Sequence, residues 1–300
     1  MDRRERDAVP RPLTATAPHR IRRPVLSQWW TDVTFLHWPA DPATVAPLLP
    51  RGTRPDVLDG TTYVGLVPFR MERVAIGRRP AFPYLGTFPE TNVRLYSVDE
   101  QGRRGVVFLS LDAARLLPVL GGRAGFRLPY LWSSMSITRN GGRHLTYTGR
   151  RLPPQRPTSY RISVEIGTEL EQPGELETFL TARWGLHVDW YGRTLHLPNA
   201  HPTWPLHTAR VRHLEEDLIR AAGLPAPQEP PCSVLYSPGV PVVFGAPVPA
   251  HRTEPQRSIM PKAPTASPPW PDRSEAEVLV DKHERDLPNA GECRSEVLDR

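Results

Sequence analysis

Hydrophobic and polar positions alternate along much of this chain. In FPETNVRLY (88–96), Glu90, Asn92 and Arg94 take every second position and share a side with Tyr96, while Thr91, Val93 and Leu95 take the other. The stretch predicts a strand with one polar face. SYRISVEIG (159–167) alternates as cleanly, with Tyr160, Ile162, Val164 and Ile166 opposite Arg161, Ser163 and Glu165. TTYVGLVPF (61–69) is β-branched and aromatic, with Pro68 placing it near a strand end or a sheet edge. RRGVVFLSL (103–111) follows the polar strand across VDEQG, a hairpin loop by composition. LWSSMSITR and RHLTYTGRR flank Asn140-Gly141-Gly142, the clearest antiparallel hairpin signal in the sequence. A further hairpin at Tyr191-Gly192-Arg193 leads to a strand through TARVRHL, and CSVLYS and VPVVFG predict two short closing strands.

Helical spacing is rarer. DPATVAPLL (41–49) offers Asp41 as N-cap, Pro42 at the first helical position and Val45, Leu48 and Leu49 on one face. GELETFLTARW (174–184) has Leu176, Phe179, Leu180 and Trp184 at helical intervals, and a third helix stops at Gly223. DAARLLPVL (112–120) is ambiguous, because Asp112 suits a helix cap but Pro118 would break the interior. About eight to ten short strands with few helices do not make the strict alternation of a doubly wound parallel sheet. The pattern predicts an α+β, mainly β fold: an antiparallel sheet curled into a barrel, with a few short helices outside.

Composition then sets boundaries. Residues 1–24 hold seven Arg, three acids and four Pro with little to bury, and residues 248–300 hold eight Pro, ten acids and eight bases. Neither segment offsets the entropy of ordering itself, so 1–24 reads as a disordered basic arm and 248–300 as a disordered proline-rich tail. Residues 25–247 remain as one domain large enough to bury a sizeable core. The net charge of +6 is spread without a basic stripe, which argues against a nucleic-acid partner. No apolar run reaches membrane-spanning length, and the arm lacks the apolar stretch of a signal peptide. Cys232 and Cys293 suggest no disulfide framework, so the expectation is a cytoplasmic protein with no membrane partner. Its oligomeric state is not legible.

The polar face of 88–96 carries the candidate chemistry. Glu90 offers a carboxylate for acid or base work, Arg94 a forked cation suited to a substrate carboxylate, and Asn92 a neutral positioner between them. Proton transfer by Glu90 needs a raised pKa, which burial favours and a neighbouring Arg94 opposes. The competing reading is that Glu90 and Arg94 simply pair with each other inside the barrel. Ser110 and Asp112 on the next strand follow the same face logic, and His37 and His201 are further ligand-binding candidates. His37, His187, His201 and His207 show no helical metal-binding spacing and no partner cysteines, so no metal is expected. GGRAG (121–125) lacks the strand and helix of a nucleotide fingerprint, and no cofactor is expected either.

Taken together, TFLHWPAD (34–41), LLPRGTRPDVLDG (48–60), YVGLVPFRM (63–71), FPETNVRLY (88–96), GVVFLSLDAAR (105–115), LPYLWSSM (128–135), LETFLTARW (176–184) and HPTWPL (201–206) resemble the YqjF-like family of conserved bacterial proteins of unknown function. The resemblance spans the core and neither arm. It implies the acetoacetate decarboxylase-like fold, a cone-shaped antiparallel barrel with an interior ligand pocket and flanking helices. Decarboxylases of that fold use a lysine that forms a Schiff base with a keto acid. The two lysines here, Lys262 and Lys282, both fall in the tail, and arginine cannot replace them as an amine nucleophile. The expectation is an interior pocket for a small anionic ligand, a keto acid or acyl compound, handled without a Schiff base. The rival is a non-catalytic binding or scaffold module whose barrel is filled by side chains.

Overall fold

A computed structural model of the chain describes residues 8–77, 79–83, 86–115 and 127–251. Thirteen strands are found among them, more than the periodicity suggested: β1 Leu26–Ala40, β2 Thr53–Pro55, β3 Thr62–Ile76, β4 Phe88–Asp99, β5 Arg104–Ala113, β6 Tyr130–Asn140, β7 His144–Arg151, β8 Ser159–Glu169, β9 Gly185–Trp190, β10 Arg193–Ala200, β11 His207–Glu216, β12 Ser233–Phe244 and β13 Val248–Pro249. The helices are α1 Pro42–Val45, continued by one 3-10 turn, then α2 Glu175–Thr181 and α3 Leu218–Ala221. Asp41 caps α1 as expected, its carboxylate accepting from the Ala43 N–H at 2.9 Å. Ser237, Pro238 and Gly239 do not end a strand. β12 runs through them because Gly239 takes a φ of 123° opposite Thr31 and the ladder resumes on both sides.

The sheet closes on itself. Strands β5-β6-β7-β8-β11-β12-β1-β3-β4 form a nine-stranded ring completed by the β4–β5 ladder. Its interior is filled by side chains, among them Leu36, Leu66, Val93, Leu95, Tyr147, Tyr160 and Ile162, all buried. A second circuit shares β12, β1, β3, β4 and β5 and is completed by β9 and β10, through the Val106–Leu186 bridge and the Asn199–Phe244 and Ala200–Val243 pairs. It encloses a second core that includes Phe35, Phe69, Tyr96, Phe179, Leu186 and Trp204.

Two circuits on one wall bury the shared strands on both faces, and this explains where pattern reading fell short. β1 was not predicted as a strand at all. Its burial lacks a simple alternation because a bulge interrupts its register with β3 between Thr31 and Leu36, where Asp32 has a φ of 50°. Gln28 and Trp30 before the bulge, and Val33 and Phe35 after it, therefore face the same core. Asp112 lies in β5 rather than capping a helix, and its carboxylate takes the Arg151 guanidinium through two 2.9 Å bonds. Residues 116–120 of the ambiguous 112–120 stretch, GGRAG, residues 1–7 and nearly all of the proposed tail lie outside the described residues.

Residues 8–24, read from the sequence as part of a solvated arm, lie along the domain. The Arg11 N–H donates to the Gly102 carbonyl at 2.8 Å, Trp184 Nε1 donates to the Thr14 carbonyl at 3.0 Å, and Leu13 packs against the second core. Neighbours already in place make ordering this proline-rich stretch affordable, which composition alone does not register.

Candidate functional site

β4 carries the site, and its alternation decides who faces what. Thr91, Val93 and Leu95 point into the filled nine-stranded ring, where the Thr91 hydroxyl meets the Tyr160 hydroxyl at 2.7 Å. Glu90, Asn92 and Arg94 point the other way, into a cavity of about 90 Å³ within the second circuit. Aromatic and aliphatic side chains make most of its wall, including Trp30, Phe35, Phe69, Phe108 and Trp204. At roughly 10–15 Å³ per water-sized position, such a space takes about six to nine heavy atoms. That is the size of a small keto acid.

Arg94 sits at the α2 end. Its Nη2 donates to the Leu180 carbonyl at 2.9 Å and its Nε to the Tyr96 hydroxyl at 3.2 Å, with the guanidinium over the rings of Phe35 and Tyr96. No carboxylate among the described residues lies within ion-pair distance of it, although Arg94 is only 7% exposed. Glu90, 3% exposed, lies toward the other end and accepts from the Tyr130 hydroxyl at 3.2 Å. Burial raises the Glu90 pKa to about 8, with the Tyr130 bond opposing and Asp112 adding a little. Arg94 points away and is not among the causes, so the predicted contest between burial and Arg94 is won by burial. The expected Glu90–Arg94 pair is not formed.

Asn92 stands between the two, and its amide oxygen is buried without a hydrogen bond. His201 also lines the cavity, against Trp184 and Trp204 at ring separations of 4.5 and 5.0 Å. Its Nδ1 bonds the Pro202 carbonyl at 2.7 Å, which makes Nδ1 the protonated nitrogen and Nε2 the acceptor. Burial holds its pKa down to about 4, so the ring is neutral at pH 7.

The other two candidates stand off the cavity. His37 Nε2 is 2.6 Å from the Tyr96 hydroxyl, which itself donates to the Leu180 carbonyl at 2.9 Å. The His37 proton therefore sits on Nε2, and the ring supports Tyr96 from behind. Burial, with Arg94 and Arg183 nearby, keeps it well below its ordinary pKa. Ser110 faces the nine-stranded ring. A register shift between Val93 and Arg94 on the β5 ladder leaves Leu109 extra, and this one-residue slip turns Ser110 away from the face that Phe108 presents. Face logic carried over from β4 fails at that bulge.

Sequence reading missed two neighbours of the site. Arg183, just past α2, lines the cavity, donates through Nε to the Phe179 carbonyl at 2.7 Å, and pairs with the buried carboxylate of Asp56, which also accepts from Arg104. Its Nη2 is buried without a partner. A cation directly after the helical apolar positions Leu176, Phe179 and Leu180, and before Trp184, was the available signal. Asp56 lies in the loop after β2 and gave none.

Comparison with known proteins places this geometry. A family model described as an uncharacterized conserved protein matches residues 27–241. The uncharacterized protein YqjF of Bacillus subtilis (strain 168) is 30% identical over 211 residues, covering 69% of this chain and 85% of that relative. Among solved structures, the enduracididine biosynthesis enzyme MppR complexed with pyruvate has a TM-score of 0.53 at 13% identity, over 76% of this chain and 91% of that one. An acetoacetate decarboxylase-like enzyme from Sphingomonas wittichii RW1 has a TM-score of 0.50 at 13% identity, over 76% and 93% of the two chains. Acetoacetate decarboxylase from Legionella pneumophila has a TM-score of 0.50 at 14% identity, over 81% and 92%. The expected family resemblance and acetoacetate decarboxylase-like fold are both borne out. Among the described residues no helix is long and apolar enough to cross a membrane.

Proposed function

We infer that this chain, which belongs to the DUF2071 family of uncharacterized conserved proteins, binds a small carboxylate of the keto-acid or acyl class in the β4 cavity. One observation carries the reading: Arg94 is a buried guanidinium with no carboxylate partner among the described residues. A buried unpaired charge costs several kcal/mol, and an anionic ligand removes that cost with a bidentate pair. The rest of the wall agrees in sign. Arg183 is already neutralised by Asp56, His201 is neutral, and Glu90 with a pKa of about 8 is mostly protonated at pH 7, so the cavity is net positive.

Arg94 anchors the ligand carboxylate, Asn92 between the two ends leaves its amide oxygen free to accept from a hydroxyl of the ligand's hydrated or enol form, and Glu90 gives or takes a proton at the far end. A Schiff base does not enter, because the sequence has no lysine before Lys262. The pyruvate held by one protein of similar fold is of the size and charge that this cavity suits. The filled interior expected of a scaffold module describes the nine-stranded ring, whereas the cavity lies across β4 from it.

The test is a thermal-shift and calorimetric screen of pyruvate and acetoacetate beside their uncharged methyl esters, on wild type and Arg94→Gln. The acids should stabilise wild type, and the esters and the variant should show no shift. Equal response of the variant, or no response of wild type to any acid, overturns the reading.

A further inference from the structure

Behind the cavity wall, β9 and β10 turn the opposite faces of their strands toward the end of β4. Leu186 and Leu197 line the cavity, while their neighbours His187 and His196 pair directly across the hairpin on the other side. Asp99, the last residue of β4, meets them there. All three are buried, at 3%, 1% and 4% exposure for Asp99, His187 and His196.

We propose that Asp99, His187 and His196 form a binding site for a divalent first-row cation, with zinc the best fit. The argument is the spacing. His187 Nε2 lies 3.4 Å from Asp99 Oδ2 and 3.3 Å from His196 Nδ1, and the three ligand atoms all lie within 4.8 Å of one another. A tetrahedral ion with bonds of about 2.0–2.1 Å sets neighbouring ligand atoms about 3.3–3.4 Å apart. An octahedral ion with the same bonds would set them at about 3.0 Å. As hydrogen bonds the two observed distances are long, and the single proton that Nε2 can carry serves only one of the two acceptors facing it. A cation satisfies all three lone pairs at once.

The surroundings are those of a ligating imidazole. His187 Nδ1 is 2.7 Å from the Ser97 hydroxyl, which can accept its proton and donate onward to the Gly105 carbonyl at 3.4 Å, leaving Nε2 for the metal. Asp99 is held by the backbone N–H groups of Gln101 and Arg103, both 2.9 Å from Oδ1, and by Arg103 Nε at 2.6 Å from Oδ2. Arg103 thereby fixes the carboxylate through one lone pair of Oδ2 and leaves the other. Two glycines make room for the rings: a Cβ at Gly105 would fall 2.9 Å from His187 Cε1, and one at Gly185 would fall 2.2 Å from His196 Cε1. His196 and Arg103 also line a space of about 60 Å³ against residues 11–14, 18 and 19.

Such an ion would staple the end of β4 to the β9–β10 hairpin, where, among the described residues, the ladder to β5 is the single Val106–Leu186 bridge. Its role is to hold the cavity wall, independent of which ligand enters the cavity.

The full chain is refolded with zinc, exchanged into metal-free buffer and analysed by plasma mass spectrometry, alongside His187→Gln, His196→Gln and the control His213→Gln, a half-buried position on β11 outside the cluster. Wild type and the control should hold about one zinc per chain and each cluster variant should hold none. Cobalt-loaded wild type should show the intense visible bands of tetrahedral cobalt, a readout that stands even if a variant fails to fold. Zinc-free wild type, cluster variants that keep their zinc, or an octahedral cobalt spectrum would each overturn the proposal.

Discussion

Glu90 and Arg94 share one face of β4 and do not touch: Glu90 takes the Tyr130 hydroxyl at 3.2 Å, while Arg94 reaches the Leu180 carbonyl at 2.9 Å. Four strand residues separate their backbones by about 13 Å, and each side chain finds its partner at its own end of the cavity. The two charges therefore respond to mutation independently, which is the basis for the first two predictions.

Replacing Arg94 with Met removes an uncompensated buried charge and keeps most of its volume. Stability should change by less than about 1 kcal/mol, or rise, because a buried cation without a carboxylate is costly to keep. Carboxylate binding should weaken by about 10- to 100-fold, the worth of a charge-assisted bidentate contact at about 1.4 kcal/mol per tenfold change. Urea unfolding and calorimetry on the same preparation separate the two effects.

Glu90 gives a pH signature of definite sign. Its pKa is about 8 in the folded chain against 4.5 in the unfolded one, so between these values the folded state binds the extra proton. The stability it contributes is fully present below pH 4.5 and is lost as pH rises through 8, at no more than about 1.4 kcal/mol per unit. The buried histidines work in the opposite direction but only below pH 6.5, since their pKa values are lowered. From pH 6.5 to 8 wild type should lose stability relative to Glu90→Gln. Parallel urea midpoints for the two proteins over that window would refute the assignment.

Asp56 is the counter-ion of Arg183 and Arg104 and is 1% exposed. Asp56→Asn leaves Arg183 buried and unpaired beside the cavity and should cost about 3–5 kcal/mol in chemical denaturation. A loss below 1 kcal/mol would mean that water already reaches the pair.

Removing residues 1–24 takes away the Leu13 packing and the hydrogen bonds to Gly102 and Trp184. A net loss of about 1–3 kcal/mol is expected from one apolar side chain and a few backbone bonds, measured as a lower urea midpoint. A truncated chain of unchanged stability would restore the solvated arm read from composition.

Local chemistry was legible in the sequence wherever one neighbour settled the outcome. Asp41 capped α1 as its sequence signature indicates, and Asn140-Gly141-Gly142 joined β6 to β7. The polar side of β4 was legible too, because period two needs only the strand itself. What it faces was not. A second circuit made by β9 and β10 turned a choice between interior and solvent into a choice between two interiors, and no residue of 88–96 encodes that. Bulges defeated the same logic at Ser110 and in β1, since one inserted residue exchanges the faces without altering composition. His196 went unremarked because its partnership with His187 and Asp99 joins three strands and has no sequence spacing.

The most direct measurement is a crystal structure determined in the presence of pyruvate or acetoacetate. The account predicts ligand density between Glu90 and Arg94, with the carboxylate on the Arg94 guanidinium and the carbonyl directed toward the protonated carboxyl of Glu90. A cavity holding only ordered water at saturating ligand, or a ligand whose carboxylate avoids Arg94, would contradict it.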